Sequence, residues 1–309
     1  MGTLLAGASE KGKLGRYAAL LRGAWAARDA DLWYVRAHPV AAVLTLIPRR
    51  FRPLVVLEVN GATDDLLAVY PSMRRIGSLL RIADRTAMRR AEGIVVVSKG
   101  LAGWVQGQAP RTPVTVVDNA ADLEIFHPDA KTGLALPHRY VAFCGALAPW
   151  QGVDVMVRAR QDEAWPEGVE LVVAGEGAMS HQIDRGPALW LGVIPLADVA
   201  GVLAGALAGL SPNTRTTRAG SAMKLYESIA CGTPVVASDA GDQEHIVTKG
   251  GLGLTYAANS PRELAKAVAT LDASPDLRSR MVQAAVQQRL AHGWSARASR
   301  IAEFVESLP

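Results

Sequence analysis

The chain has 309 residues, half of them apolar, with 29 glycines, 17 prolines and two cysteines. That length suits two domains of ordinary size, and the composition excludes a disordered or low-complexity chain. The net charge of +4 is unevenly placed: residues 1–117 carry 17 Lys and Arg against 8 Asp and Glu, whereas residues 118–309 carry 16 against 21. The two halves are therefore expected to meet different partners.

Taken in order, residues 14–28 read as a helix, 31–36 as a buried strand, 39–47 as a helix and 53–60 as a second strand. A longer helix is expected over 72–91, followed by strands over 93–98 and 114–117. Residues 129–138, with Gly133 and Pro137, read as a linker. A second unit then starts with the strand 140–144, the loop Gly145-Ala-Leu-Ala-Pro-Trp-Gln-Gly152 and a helix from Val153 to about Ala164. Strands over 169–174 and 189–194 follow, then a helix from about Ala197 into a strand at Leu207. Beyond them come a helix from near Ser221 to Gly232, a strand over 235–238, a helix near Gln243 and a short strand at Leu254. Helices are expected over 261–271, 276–292 and 295–308, the last with Ile301, Phe304, Val305 and Leu308 at helical spacing. Strands alternating with helices predict parallel α/β sheets.

Cys144 and Cys231 sit in apolar or helical contexts and read as reduced core residues, and the six histidines show no ligand spacing, so no metal site is expected. No secretory leader is expected, and the longest apolar run, 199–210, is too short to span a bilayer. A cytoplasmic location follows as the expectation.

The stretch from Leu207 to Glu244 holds the chemistry. An apolar strand empties into a Ser/Asn/Thr/Gly-rich loop, the loop opens a helix, and Pro234 launches a second buried strand. Such a unit presents free N–H groups and a helix dipole at the carboxyl edge of a sheet, where anions bind. Lys224 and Glu227 lie three apart and share one helix face. On an arbitrary exposed helix that pair would be a surface ion pair of little consequence.

The run Ser-x-x-Lys-x-x-Glu-x-x-Ala-x-Gly-x-Pro-Val-Val-Ala-Ser from Ser221 resembles the donor signature of the family-4 retaining glycosyltransferases. The resemblance covers roughly Asp31 to the C-terminus and is most specific in the second half. It implies a GT-B architecture of two Rossmann-like domains, here residues 1–135 joined by the helix 295–309, and residues 136–294 carrying the nucleotide site. It implies that Glu227 binds the ribose hydroxyls of a nucleotide sugar, that the amides of Ser221, Ala222 and Met223 hold the distal phosphate, and that Val193 and Ile194 offer backbone groups to the base. The family's Gly-rich loop corresponds to Gly145–Gly152, but its usual Arg and Lys are replaced by Ala146 and Gln151. Ala219 stands where the family often has a further Glu near the transferred sugar. With two phosphate-facing charges gone, Lys224 is expected to take over the cationic role, with Arg215 and Arg218 as substitutes.

Relative to the family pattern, the first domain starts after the expected first strand and glycine-rich loop. The family's catalytic-region His corresponds most nearly to Arg36, with His38 two residues on, and Asn60 ends the next strand. Arg36 and Asn60 are thus candidate catalytic groups, alongside the reading that all three residues merely cap strand ends. The expected activity is transfer of a glycosyl group from a nucleotide sugar to an acceptor hydroxyl with retention. It would serve glycan, glycolipid or cell-surface polysaccharide synthesis, with the nucleotide sugar as substrate and neither cofactor nor metal. A decayed GT-B binding protein and a sugar-nucleotide epimerase stay open beside it.

Arg74, Arg81, Arg85 and Arg89 share one arc of the helix 72–91, with Ile76, Leu79, Leu80, Ala83 and Ala87 opposite. The arc reads either as a solvated face or as a contact for an anionic membrane or lipid-diphosphate acceptor. It lacks the interleaved aromatics of a nucleic-acid surface.

Overall fold

The structure, a computed structural model, describes residues 13–69, 71–184, 186–214 and 222–309. It divides into two compact units, one of residues 1–117 with 301–309 and the other of residues 118–300.

In the first unit the elements are α1 (Lys13–Ala26), β1 (Leu32–Arg36), α2 (Pro39–Leu46), β2 (Leu54–Val59), α3 (Thr63–Val69), α4 (Gly77–Arg90), β3 (Gly93–Val96), α5 (Lys99–Gln108) and β4 (Val114–Val116). The four strands form one parallel sheet in the order β1-β2-β3-β4. β2 and β3 are almost wholly buried, as their Val/Ile/Leu runs require of strands covered on both faces. Val56, Val95 and Val117 pack with Ile301, Phe304, Val305 and Leu308 of the C-terminal segment. A side chain at Gly93 would meet Leu308 at 2.8 Å, so glycine is needed for that close approach.

Two expectations are corrected here. The helix foreseen over 72–91 is a 3₁₀ turn over Pro71–Ile76 followed by α4, and it is preceded by the unforeseen α3, which carries Asp64 and Asp65 in its first turn. Strand β3 also stops short of Ser98, because the Ser98 hydroxyl turns to accept from the Leu101 N–H at 3.2 Å and caps the unforeseen α5.

The second unit contains β5 (Tyr140–Cys144), α6 (Val153–Arg160), β6 (Glu170–Ala174), α7 (Ser180–Asp184), β7 (Leu189–Gly192), α8 (Leu196–Ala204), β8 (Ala208–Ser211), α9 (Met223–Ala230), β9 (Val235–Ser238), α10 (Gln243–Gly250), β10 (Gly253–Tyr256), α11 (Pro261–Ala273), α12 (Pro275–Gln288) and the first half of α13 (Trp294–Glu306). Its six strands are parallel in the order β10-β9-β8-β5-β6-β7. Two apolar layers cover the sheet, one around Phe143, Met156 and Leu171 and the other around Tyr226, Ile229 and Leu203. Cys144 and Cys231 are buried and free, and burial pushes both thiols up.

Residues 118–135, placed with the first domain by the sequence, belong to the second unit. Phe126 is buried in that unit's core, and the Ala121 N–H donates to the His292 carbonyl at 2.9 Å. α13 starts in the second unit, where Arg297 Nε donates to the Asp118 carbonyl at 3.0 Å, and residues 301–309 belong to the first.

Candidate functional site

In the second sheet the strand order reverses between β5 and β8. Chain segments leaving either side of such a switch point open a crevice at the carboxyl edge, where ligands of open α/β sheets bind. After β5 comes the loop 145–152, and after β8 come Pro212, Asn213 and Thr214.

The glycines fix that loop by close approach. Gly145 donates its N–H to the Ala174 carbonyl and Leu147 to the Glu176 carbonyl, both at 2.9 Å. A Cβ at Gly175 would lie 2.0 Å from the Gly145 carbonyl oxygen, and one at Gly177 would lie 2.4 Å from that of Leu147. The Val173-Ala-Gly-Glu-Gly177 turn is thus a wall that the loop leans on. On the other side Gly152 has φ +60° and a Cβ there would strike the Pro212 carbonyl oxygen at 2.0 Å, while the Thr214 N–H donates to Trp150 at 3.0 Å. Gly145 and Ala146 are left exposed.

Helix α9 begins at Met223 rather than at Ser221, with Ala222 at its N-cap. Ala222 has no side chain that could accept from the first-turn N–H groups, so the N–H groups of Met223 and Lys224 have no intrahelical acceptor. Ser221, Arg215, Arg218 and Ala219 lie outside the described residues. Lys224 is 8% exposed and its ammonium donates to Gln151 Oε1 while lying 5.3 Å from the Phe143 ring centroid. Its Cε would sit 3.4 Å from a Cβ at Gly145. The structure therefore brings Lys224, Gln151 and Gly145 together. Burial lowers the Lys224 ammonium to about 8, against the opposing pull of Glu227. Glu227 is half-buried, and burial raises its carboxyl against the lowering effect of Lys224. A carboxylate and an ammonium sharing a partly dry cleft suit a ligand with both hydroxyls and negative charge.

Strand β7 ends at Gly192, not Ile194, because Gly192 takes φ +65° and its carbonyl accepts from Gly175 at 2.6 Å. Val193 is consequently 71% exposed, while Ile194 packs on the core. In the first unit Arg36 is exposed at the carboxyl end of β1. Burial lowers the His38 imidazole against a backbone hydrogen bond, with the Arg36 charge pushing down as well. Asn60 follows β2, and its Oδ1 is buried with no hydrogen-bond partner among the described residues. A surface cavity of about 550 Å³ lies at the other, amino-terminal end of β1 and β2, between Arg28–Asp31 and Arg49–Leu54, so it coincides with neither Arg36 nor Asn60. Among the described residues no three His, Cys, Asp or Glu side chains cluster as a metal site.

The sequence reading missed Asn213. It is 8% exposed, and its Oδ1 too is buried and unpartnered among the described residues. The only sequence signal was a polar residue directly after a buried strand and a proline, Leu210-Ser-Pro-Asn213.

Residues 138–273 match the family described as "Glycosyl transferases group 1". This segment belongs to the group 1 glycosyl transferases. The matched stretch contains the Gly145–Gly152 loop, Lys224 and Glu227. The chain is 31% identical over 228 residues to D-inositol 3-phosphate glycosyltransferase of Thermobispora bispora, an alignment covering 65% of this chain and 52% of that protein. It is 27% identical over 283 residues to the lipopolysaccharide core biosynthesis mannosyltransferase LpcC of Rhizobium leguminosarum bv. viciae, covering 83% and 73%. The chain thus spans about half the length of the inositol-phosphate glycosyltransferases it matches. Among solved structures it resembles sucrose-phosphate synthase from Thermosynechococcus elongatus, with a TM-score of 0.76, 16% identity and coverage of 94% and 77%. It also resembles Anabaena Alr3699/HepE in complex with UDP, with a TM-score of 0.74, 19% identity and coverage of 96% and 85%. At such identities these likenesses establish the fold alone: two parallel α/β sheets of the GT-B type.

Proposed function

We propose that the protein transfers a glycosyl group from a nucleotide sugar to an acceptor hydroxyl, with retention at the anomeric carbon. The observation that carries this reading is Lys224, buried beneath the Gly145 loop at the uncapped start of α9, in the switch-point crevice. The similarity to HepE, whose structures hold UDP and UDP-glucose, and the group 1 match support a nucleotide-sugar donor.

In this reading the chain works by positioning and by stabilising charge. As the bond between the anomeric carbon and the diphosphate oxygen breaks, negative charge grows on the leaving nucleoside diphosphate. The Met223 and Lys224 N–H groups donate hydrogen bonds to it, and the positive end of the α9 dipole stabilises it. The Lys224 ammonium supplies a full positive charge, and Gln151 holds that ammonium in place. With those groups present, no step requires a metal. Glu227 takes the ribose hydroxyls, the Gly145–Ala146 backbone borders the diphosphate, and backbone groups at Val193 and Ile194 meet the base. Arg36 and Asn60 are assigned to acceptor-side chemistry in the first unit.

The acceptor is proposed to be a glycan or lipid-linked hydroxyl, in glycan, glycolipid or cell-surface polysaccharide synthesis, at the cytoplasmic face of an anionic membrane. No helix among the described residues is long and apolar enough to cross a membrane. Support for a peripheral contact comes from α4, although not from the face foreseen. Arg81 pairs with Asp64 at 2.9 Å, Arg85 donates to Gln108 Oε1 at 3.0 Å, Arg89 to the Gln108 carbonyl at 2.8 Å, and Arg74 to the Leu67 carbonyl at 3.4 Å. Ile76, Leu79 and Ile82, expected or free to face a core, are instead exposed, with Leu79 at 66% and Ile82 at 62%. The buried side of α4 is Gly77, Ala87 and Met88. Exposed apolar residues flanked by Arg75 and Arg90 suit the boundary between headgroups and acyl chains. Incubation with UDP-glucose or GDP-mannose and an acceptor extract tests the activity, and anomer analysis of the product by NMR tests retention; release of free sugar without an acceptor product would overturn the transferase reading.

A further inference from the structure

Asn213 is held in place from several sides. Ser238 Oγ donates to its main-chain carbonyl at 2.6 Å, and the next residue's N–H is tied to Trp150 at 3.0 Å. Gln243 Nε2 donates to the carbonyls of Ser211 and Ser238 and to Ser238 Oγ, while Ser211 Oγ donates back to Gln243 Oε1 at 2.7 Å. Among the described residues the hydrogen bonds of this buried network are spent within itself, and none reaches the Asn213 side chain. Its amide oxygen is nevertheless buried and accepts nothing among the described residues. A buried acceptor without a donor is costly and is rarely kept without a use.

The position of this acceptor narrows what it takes. Asn213 stands two residues after β8, at the switch point, against the loop that carries Gln151. A carbonyl oxygen repels phosphate oxygens, which only accept, so it is unsuited to the diphosphate. It needs an O–H or N–H donor, and Glu227 already serves the ribose in the reading above. We propose that Asn213 Oδ1 accepts a hydrogen bond from a hydroxyl of the transferred sugar and thereby helps select which sugar is moved. The inference rests on the nucleotide-sugar reading. A site built to pair a substrate hydroxyl discriminates strongly against an analogue that lacks it, because the buried partner is then left empty.

The test is calorimetric, with the full chain and with UDP, UDP-glucose, GDP and GDP-mannose as probes. Asn213→Ala should lower affinity for the nucleotide sugar that wild type prefers by roughly tenfold, with affinity for the matching diphosphate changed by less than about twofold. A deoxy series of that nucleotide sugar should show one position where wild type loses affinity and Asn213→Ala loses no more. Because a buried orphan is removed, the ligand-free variant should melt no lower than wild type; Asn213→Ser serves as the second variant if the first does not fold. Equal losses for diphosphate and nucleotide sugar would assign the oxygen to the nucleotide and overturn the proposal. So would unchanged affinity for both, or a wild type indifferent to every deoxy position. A wild type that binds none of the four probes would instead overturn the nucleotide-sugar reading itself.

Discussion

The Lys224 ammonium donates to the Gln151 amide oxygen, and this pair ties the start of α9 to the loop after β5. The resemblance places a lysine at position 151, and the structure places the ammonium of a different lysine against that same side chain. If Lys224 supplies the missing charge, Lys224→Met should cut turnover by two or more orders of magnitude. It should weaken nucleoside diphosphate binding far more than nucleoside binding. Gln151→Lys in the Lys224→Met background should restore part of both losses. The same Gln151→Lys change in wild type should instead harm binding, because it sets two ammonium groups together in a buried place. Steady-state kinetics on the four proteins checks this reversal of sign, and additive effects would contradict it.

The pH dependence follows from the same lysine. Burial lowers its ammonium to about 8 in the ligand-free protein, and a bound diphosphate must raise it. Binding is then coupled to proton uptake above pH 8, and affinity should fall by up to about tenfold per pH unit from there. Titrations in buffers of different ionisation enthalpy should reveal the proton uptake at pH 9 and little at pH 7. Lys224→Met should show none at either pH.

Glu227 offers a separate handle on the ribose. Glu227→Gln keeps the shape but removes the charge that strengthens hydrogen bonds from two hydroxyls, so nucleotide affinity should drop by about 1.5–3 kcal/mol. Comparison of ribose with 2′-deoxyribose diphosphates checks the assignment. Wild-type affinity in a folded Glu227→Gln protein would remove Glu227 from the site.

For the first unit, Leu79→Ser with Ile82→Ser should abolish sedimentation with anionic vesicles and leave diphosphate affinity unchanged. Both side chains are exposed, so little stability should be lost. Neutral vesicles should bind neither protein. Equal binding of wild type and double variant to anionic vesicles would refute the contact.

Much of this fold was legible because its strands are short apolar runs and its turns are marked by glycine and proline. Within the Leu207–Glu244 stretch the strand, helix and second strand come in the order read, and Lys224 and Glu227 fall on α9. Helix faces were harder to read. The apolar residues Ile76 and Leu79 are expected inward by pattern, yet Gly77, Ala87 and Met88 take the inward side and leave them exposed. Helices α3 and α5 escaped notice because a three-residue polar start and three glycines, respectively, blur their periodicity. The linker signals at Gly133 and Pro137 put the boundary too late, because residues 118–135 belong to the second unit and Phe126 is buried in its core. Asn213 could not be found from its type alone, because an unpaired acceptor is a property of three-dimensional surroundings. The same holds for the Lys224–Gln151 contact, whose partners lie 73 positions apart.

The central claim is that the crevice between β5 and β8 holds a nucleoside diphosphate through Lys224. Calorimetric titration of UDP and GDP into the protein, in the presence of a chelator, tests it most directly. The account predicts saturable binding of one of them at one site per chain at pH 7, weakened at least tenfold in Lys224→Met. Absence of binding by both diphosphates, or equal affinity in wild type and Lys224→Met, would contradict it.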